Sequence, residues 1–271
     1  MRYVLAVSGG VDSMVLLDMM SRVPGHELIV AHFDHGIRSE SSEDAAFVAS
    51  VAKRYGVTFE TKREELGTTA SEALARQKRY DFLKAVAKKH RAQLVTAHHL
   101  DDVVETIAIN LKRGTGWRGL AVLDSGIIRP LVDTSKQSLL HYAQRNNIEW
   151  HEDATNQTDT YLRNRIRHQL DLSLDEKRQL RSLHAHQKDI KRQIESEIET
   201  LIGDGPTYNR HWFIQLETTP ALECLRHATK GQLTRPQLAR ALHAVKVARP
   251  GTAYEAGEGV KLHFTTRQFS L

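Results

Sequence analysis

Ser8-Gly9-Gly10-Val11-Asp12-Ser13 brings two glycines, two hydroxyls and one carboxylate together within six residues. An apolar pentad, Tyr3-Val4-Leu5-Ala6-Val7, precedes it, and Val11, Met14, Val15 and Leu17 follow at helical spacing. A strand, a tight turn and a helix start are therefore expected to meet here. A helix N-terminus offers unpaired N–H groups and partial positive charge, so such a junction holds an anion. Gly9 and Gly10 let the backbone approach phosphate oxygens without a Cβ in the way. Ser8, Gly9, Gly10, Val11, Asp12 and Ser13 form the expected nucleotide-phosphate site. The loop has no Gly-Lys-Ser/Thr ending and no G-x-G-x-x-G spacing, so it is neither a Walker loop nor a dinucleotide fingerprint. A carboxylate beside phosphate is repulsive unless a cation intervenes, which makes Asp12 a candidate Mg²⁺ ligand.

A second chemical cluster is Thr96-Ala97-His98-His99-Leu100-Asp101-Asp102-Val103-Val104-Glu105-Thr106. Asp102 and Glu105 are three apart and share one face of a helix. Two carboxylates there can hold an ammonium or a metal, with Asp101 expected to cap the helix. Asp34, at a neighbouring strand tip, could join the same pocket. His98 and His99 point to opposite faces of an extended strand, so they do not chelate one ion together. Either one contacts a ligand while the other is buried, or both are satisfied structural histidines. Residues 76–91 are rich in Lys and Arg with one acid, Asp81, and such a face is commonly only solvated. Arg113 with Gly114 and Gly116 makes a flexible loop, a lid or a nucleic-acid contact. Arg163, Asn164, Arg165 and Arg167 suit nucleic-acid contact, or else a helix start that packs two domains.

These residues need a frame. Short apolar runs at 3–7, 28–33, 57–61 and 93–97 alternate with helical patterns at 11–22, 43–55, 71–90, 101–113 and 135–146. This predicts an α/β fold, with an open, mostly parallel sheet covered by helices on both faces. Ile127–Leu131 reads as an edge strand because Pro130 lacks a ladder donor. After about residue 170 the pattern becomes charged and helical (174–202, 218–229, 234–247), then ends in short strands. Two domains are expected, 1–172 for catalysis and 173–271 as a smaller, mainly helical partner.

The 271-residue chain carries 38 Lys and Arg against 33 Asp and Glu, a modest basic excess that permits a polyanionic partner. One cysteine, Cys224, excludes a disulfide framework within the chain. No apolar run approaches the roughly 18 residues that span a bilayer. Asp12 and the short apolar run spoil a signal-peptide reading. A cytoplasmic protein with no membrane partner is the expectation.

The loop resembles the S-G-G-x-D-S signature of the PP-loop ATP pyrophosphatases. That likeness implies that ATP is cleaved between its α and β phosphates. Four further segments narrow it: Asp34-His35-Gly36-Ile37-Arg38, Ala75-Arg76-Gln77-Lys78-Arg79-Tyr80, the His98–Thr106 run, and Arg113-Gly114-Thr115-Gly116-Trp117-Arg118-Gly119-Leu120. With Tyr161-Leu162-Arg163-Asn164-Arg165-Ile166-Arg167, their order and spacing resemble the tRNA(Ile)-lysidine synthetases over residues 3 to about 170. The resemblance implies that ATP adenylates the wobble cytidine of a CAU-anticodon isoleucine tRNA. Free L-lysine is then joined through its ε-amine. It implies Asp34, Asp102, Glu105, Arg76 and His99 as catalytic residues, with the carboxylates locating the amine. Arg76 and Arg79 would neutralise pyrophosphate or grip tRNA. Arg79, Arg113, Arg163, Asn164 and Arg167 would contact RNA, and the resemblance leaves room for a homodimer. Ile37 replaces a family leucine, and Val103-Val104 stands where the family has Gln and a small residue. Longer members carry a further tRNA-binding module that this chain is expected to lack. Another PP-loop reaction, sulfur transfer to tRNA or amidation of a small acid, is the alternative, and a non-catalytic RNA-binding module is the third reading.

Overall fold

The computed structural model describes residues 1–36, 41–67, 71–123, 126–151 and 162–271, without the side chains of residues 41, 42, 72, 162–164 and 168. Arg38 and the side chains of Arg163 and Asn164 therefore lie outside the described residues. The chain divides into two compact units, Met1–Lys188 and Asp189–Leu271.

In the first unit, β1 (Arg2–Ala6) leads into α1 (Val11–Ser21), then β2 (Glu27–Asp34), α2 (Ser41–Arg54) and β3 (Thr58–Arg63). Helix α3 (Glu72–His90) returns the chain to β4 (Gln93–Val95). All pairings are parallel, in the order β3-β2-β1-β4. Both faces must then be covered, and the handedness of parallel crossovers says how. The steps β1 to β2 to β3 run one way, which places α1 and α2 on one face. The step from β3 to β4 runs back past β1 and places α3 on the other.

The two cores follow. Leu5 and Val30 pack with Leu16, Leu17, Val48 and Val51 on one face. Val4, Ile29 and Ala31 pack with Leu83 and Val86 on the opposite face. Adjacent Val4 and Leu5 serve different layers because strand side chains alternate. The reversal of strand order between β1 and β4 creates a switch point. Open α/β sheets bind ligands outside the carboxyl ends of the strands at such a point.

Four helices complete this unit or begin in it: α4 (Leu100–Lys112), α5 (Lys136–Arg145), α6 (Leu162–Gln169) and α7 (Leu174–Ile202). Ser71 and Ser135 cap α3 and α5 by accepting from Leu74 N and Ser138 N, both at 3.2 Å. The edge strand expected at Ile127–Leu131 is absent. Only a parallel bridge joins Val95 to Ile128, with Ile128 N to Leu94 O and Thr96 N to Ile128 O at 3.0 Å. Pro130 has no N–H to extend it, and the chain turns instead.

One buried carboxylate ties this layer together. Asp18 on α1 accepts from Arg22 Nε at 2.9 Å, Tyr55 Oη at 2.9 Å and Tyr142 Oη at 2.8 Å. These contacts join α1 to the end of α2 and to α5. Burial and the Asp18 hydrogen bond push the Tyr55 phenol up to about 12.

In the second unit, β5 (Thr207–Asn209), α8 (Arg210–Gln215), α9 (Thr218–Ala228) and α10 (Arg235–Val247) precede β6 (Ala253–Gly257), β7 (Val260–Phe264) and β8 (Gln268–Ser270). The sheet is antiparallel in the order β5-β8-β7-β6. Phe213, Leu225, Leu238, Leu242, Phe264 and Phe269 fill its core. The buried Arg210 guanidinium donates to Val245 O at 2.6 Å and Thr265 O at 3.2 Å, fastening the end of α10 to the sheet. The helices and terminal short strands expected after the parallel sheet are present. The short β5 and α8 carried no readable period.

Asp18→Ala strands two tyrosine hydroxyls, so we expect a loss of about 2–3 kcal/mol in urea unfolding. Arg2→Ala, at the exposed Arg2–Glu27 pair, should cost several-fold less. Equal losses would contradict the role given to Asp18.

Candidate active site

The loop after β1 is pinned before any ligand arrives. Gly9 has φ +94°, a backbone region that only glycine adopts without strain. Gly10 is extended, at φ −74°, and is the N-cap of α1. Positive φ thus requires glycine at position 9 alone. Ser13 Oγ donates to Gly10 O at 2.9 Å and accepts from Ser8 N at 3.2 Å, closing the turn on itself. His151 N donates to Gly9 O at 3.0 Å, and its ring stacks on Phe47 at 4.1 Å between centroids. His151 Nδ1 lies 2.8 Å from Asp44 Oδ1. His151 is a loop anchor that the sequence did not mark, because its partners are more than 100 residues away.

Across the switch point, β4 ends and α4 starts. The N-cap of α4 is His99, not Asp101. Asp102 Oδ2 accepts from His99 N at 3.0 Å and closes the helix start. Asp101, the expected cap, instead reaches two other helices. Its Oδ2 accepts from Lys136 N at 2.8 Å and its Oδ1 from Lys177 Nζ at 2.7 Å. The reason is geometric: with the cap at His99, Asp102 occupies the third helical position, where a side chain reaches back to the cap amide.

His99 is 4% exposed and stands among three carboxylates. Its Nε2 is 3.6 Å from both Asp12 Oδ2 and Asp102 Oδ2, and its Nδ1 is 3.5 Å from Asp101 Oδ2. Burial alone would push the imidazole down, but Asp101, Asp12 and Asp102 outweigh it and hold the pKa at about 9. The ring is therefore an imidazolium at neutral pH. His98 lies apart, with Nδ1 2.8 Å from Thr96 Oγ1.

Asp12 takes a second cation. Lys136 Nζ donates to its two oxygens at 2.7 and 2.9 Å. Burial works to raise the Asp12 carboxyl, yet His99 and Lys136 bring it below the usual range. Among the described residues, no group of three or more His, Cys, Asp or Glu is arranged to hold a metal. The cation shown beside Asp12 is an ammonium.

Glu105, 3% exposed, is clamped by α6: Arg167 Nε and Nη2 donate to Oε1 and Oε2 at 2.6 and 3.1 Å. Glu105 holds the Arg167 guanidinium above its ordinary range, and Asp102 and Asp12 add to this at longer reach. The carboxylates of Asp12, Asp101, Asp102 and Glu105 are thus matched by His99, Lys136, Lys177 and Arg167. Of the residues expected from sequence, Asp12, His99, Asp102, Glu105 and Arg167 come together here. Lys136 and Lys177 were not foreseen.

The other candidates stand elsewhere. At the tip of β2, Asp34 accepts from Gly36 N at 2.8 Å and lies 3.4 Å from Arg63 Nη1. Arg76 and Arg79 on α3 lie over the Tyr80 ring, at 5.0 and 5.7 Å. Arg113 is exposed at the end of α4, before Gly114 and Gly116, both at positive φ.

A family model described as a PP-loop domain matches residues 1–174. The chain belongs to the PP-loop family. The match covers the whole parallel sheet and includes the Ser8–Ser13 turn. Among curated proteins, a tRNA(Ile)-lysidine synthase from Enterococcus faecalis is 37% identical over 244 residues, covering 81% of this chain and 53% of that protein. One from Exiguobacterium sibiricum is 43% identical over 174 residues, covering 61% of this chain and 42% of that protein. The chain thus spans about half the length of the curated relatives it matches. Among solved structures, the U34-tRNA thiolase NcsA from Methanococcus maripaludis superposes with a TM-score of 0.58 at 20% identity, covering 70% of this chain and 72% of that one. At that identity the likeness shows the fold alone. Among the described residues no helix is long and apolar enough to cross a membrane.

The His99 cation has a pH signature. Its folded pKa, about 9, lies above the ordinary 6.5, so its stabilisation is full below pH 6.5 and fades as pH rises through 9. Urea unfolding from pH 6 to 10 should show this loss in the parent, and His99→Gln should remove it. Parallel pH curves for the two proteins would contradict a charged His99.

Proposed function

We propose that this protein uses ATP to adenylate the wobble cytidine of a CAU-anticodon tRNA(Ile) and joins lysine to that base, forming lysidine with release of AMP and pyrophosphate. The observation that carries this reading is the contact of the PP-loop carboxylate with the α4 cluster, where an anion seat and an amine seat adjoin. The PP-loop match spans both elements, and the similarity to tRNA(Ile)-lysidine synthases supports the same substrates. Residues 1–172 carry the chemistry, and residues 173–271 assist in holding the tRNA.

The phosphates of ATP occupy the N-terminus of α1, where N–H groups and the helix dipole favour negative charge. Lys136, whose ammonium now rests on Asp12, turns to the phosphates. A bound Mg²⁺ would supply charge neutralisation for the pyrophosphate. Asp12 would be its protein ligand, a role supported by the ammonium that already sits at that carboxylate. One carboxylate is enough for an ion that keeps waters and phosphate oxygens in its shell. The cytidine carbonyl oxygen attacks the α-phosphorus, and pyrophosphate leaves with the electron pair of the broken P–O bond. The lysine ε-amine then attacks the activated ring carbon, AMP leaves, and the amine proton passes to a carboxylate. Asp102 and Glu105 locate that amine and Asp34 stands at the next strand tip. Arg76, Arg79, Arg113, Arg163 and Asn164 are assigned to contact with the tRNA.

Sulfur transfer is the less suitable chemistry here. Cys224 is 3% exposed in the second unit, and burial pushes its thiol up rather than toward the thiolate.

Mass spectrometry of nucleosides from tRNA(Ile) incubated with the protein, ATP and lysine should show the mass of cytidine plus lysine minus water. AMP formation that requires ammonia or a sulfur donor instead would overturn the assignment. Lys136→Ala should weaken ATP binding by about 10–100-fold, since a hydrogen bond to a charged group contributes about 1.5–3 kcal/mol. An unchanged Kd by calorimetry would place Lys136 away from the phosphates.

A further inference from the structure

The Glu105–Arg167 pair is at odds with two simple expectations at once. Arg167, on a helix rich in arginine, was expected to face RNA, and Glu105 to face the substrate amine. Each instead faces the other. The contact is bidentate, at 2.6 and 3.1 Å, with Glu105 buried and Arg167 partly open to solvent at 39% side-chain exposure. The guanidinium also interacts with Asp102 and Asp12. It therefore stands among the very carboxylates that would receive an ammonium.

An ammonium entering this pocket finds its acids already matched by resident cations and gains little Coulomb energy. It gains much more if Arg167 departs, because a buried carboxylate left without its partner is strongly unfavourable. The other group that fits the planar guanidinium fork is phosphate. Helix α6 presents Arg163, Arg165 and Arg167 within eight residues, and Arg165 is exposed. An RNA backbone engaging α6 would compete with Glu105 for Arg167.

We propose that Arg167 couples the two substrates: RNA phosphate draws its guanidinium from Glu105, and the lysine ammonium takes the vacated place. This rests on the lysidine reading given above. Arg167 then determines substrate order, since lysine binds well only after tRNA. The Glu105 site admits a cation only when the base that cation will attack is present. The coupling is reciprocal, so lysine also tightens tRNA binding by the same factor.

The test is calorimetry of lysine binding to the full chain without ATP, with and without CAU-anticodon tRNA(Ile). In the parent protein, tRNA should tighten the lysine Kd about tenfold, within the range of about 5–150-fold usual for coupled sites. Arg167→Gln should bind lysine more tightly than the parent without tRNA and show no further gain with it. Arg167→Lys keeps the charge but loses the fork, so it folds by the same pairing while its coupling falls below the parent's. A lysine Kd in the parent that ignores tRNA would overturn the proposal. So would the full tenfold effect surviving in either variant. If lysine binds neither parent nor variants under any condition, the lysine reading itself fails, an outcome distinct from binding without coupling.

Discussion

The contact of Lys136 with Asp12 is the constraint on which the rest of the site depends. It joins the turn after the first strand to a helix 124 positions further along the chain. A carboxylate in a phosphate-binding turn is an electrostatic liability, and the protein meets it with charge from both sides. His99 stands on one flank, and the ammonium on the other. The same logic extends outward: Asp101 holds the Lys136 amide and the Lys177 ammonium, and Glu105 holds Arg167. Buried acids are tolerated here because each has a cation within reach. A site matched in this way is poised, since each arriving charged substrate must change partners with a resident group. In the proposed reaction a triphosphate would compete with Asp12 for Lys136, and an ammonium with Arg167 for Glu105.

The sheet supplies the placement. Parallel strands with right-handed crossovers bring the ends of β1 and β4 side by side, and the two chemical segments sit just past those ends. Neither segment is near the other in sequence. The Gly9 conformation, the His151 tether and the internal Ser13 bonds fix the first. The Asp102 bond to His99 N fixes the second. What remains adjustable are the long Lys and Arg side chains between them.

The parallel sheet was legible because its strands are continuous apolar runs and its helices have regular periods. The Ser8–Ser13 turn between strand and helix was legible because strand, glycine and helix start have local signatures. The Ile127–Leu131 strand failed for a reason visible in hindsight: a ladder needs successive donors, and Pro130 removes one where a short edge has none to lose. Asp101 is not the cap because cap position depends on where the helix begins, and the cap lies two residues earlier, at His99. Lys136, Lys177 and His151 were not legible. Their partners lie 35 to more than 140 positions away, and a lysine at a helix start looks like any solvated lysine until the fold brings a carboxylate to it. Arg167 was singled out for its charge, but the partner it would meet was not written in the local pattern.

The central claim is that the α1 N-terminus is the phosphate seat and that Lys136 belongs to it. A crystal structure with a non-hydrolysable ATP analogue tests this most directly. The account predicts phosphate density against the Gly9–Ser13 backbone, with Lys136 Nζ moved from Asp12 to a phosphate oxygen. A nucleotide bound elsewhere, or phosphates at the turn with Lys136 still resting on Asp12, would contradict it.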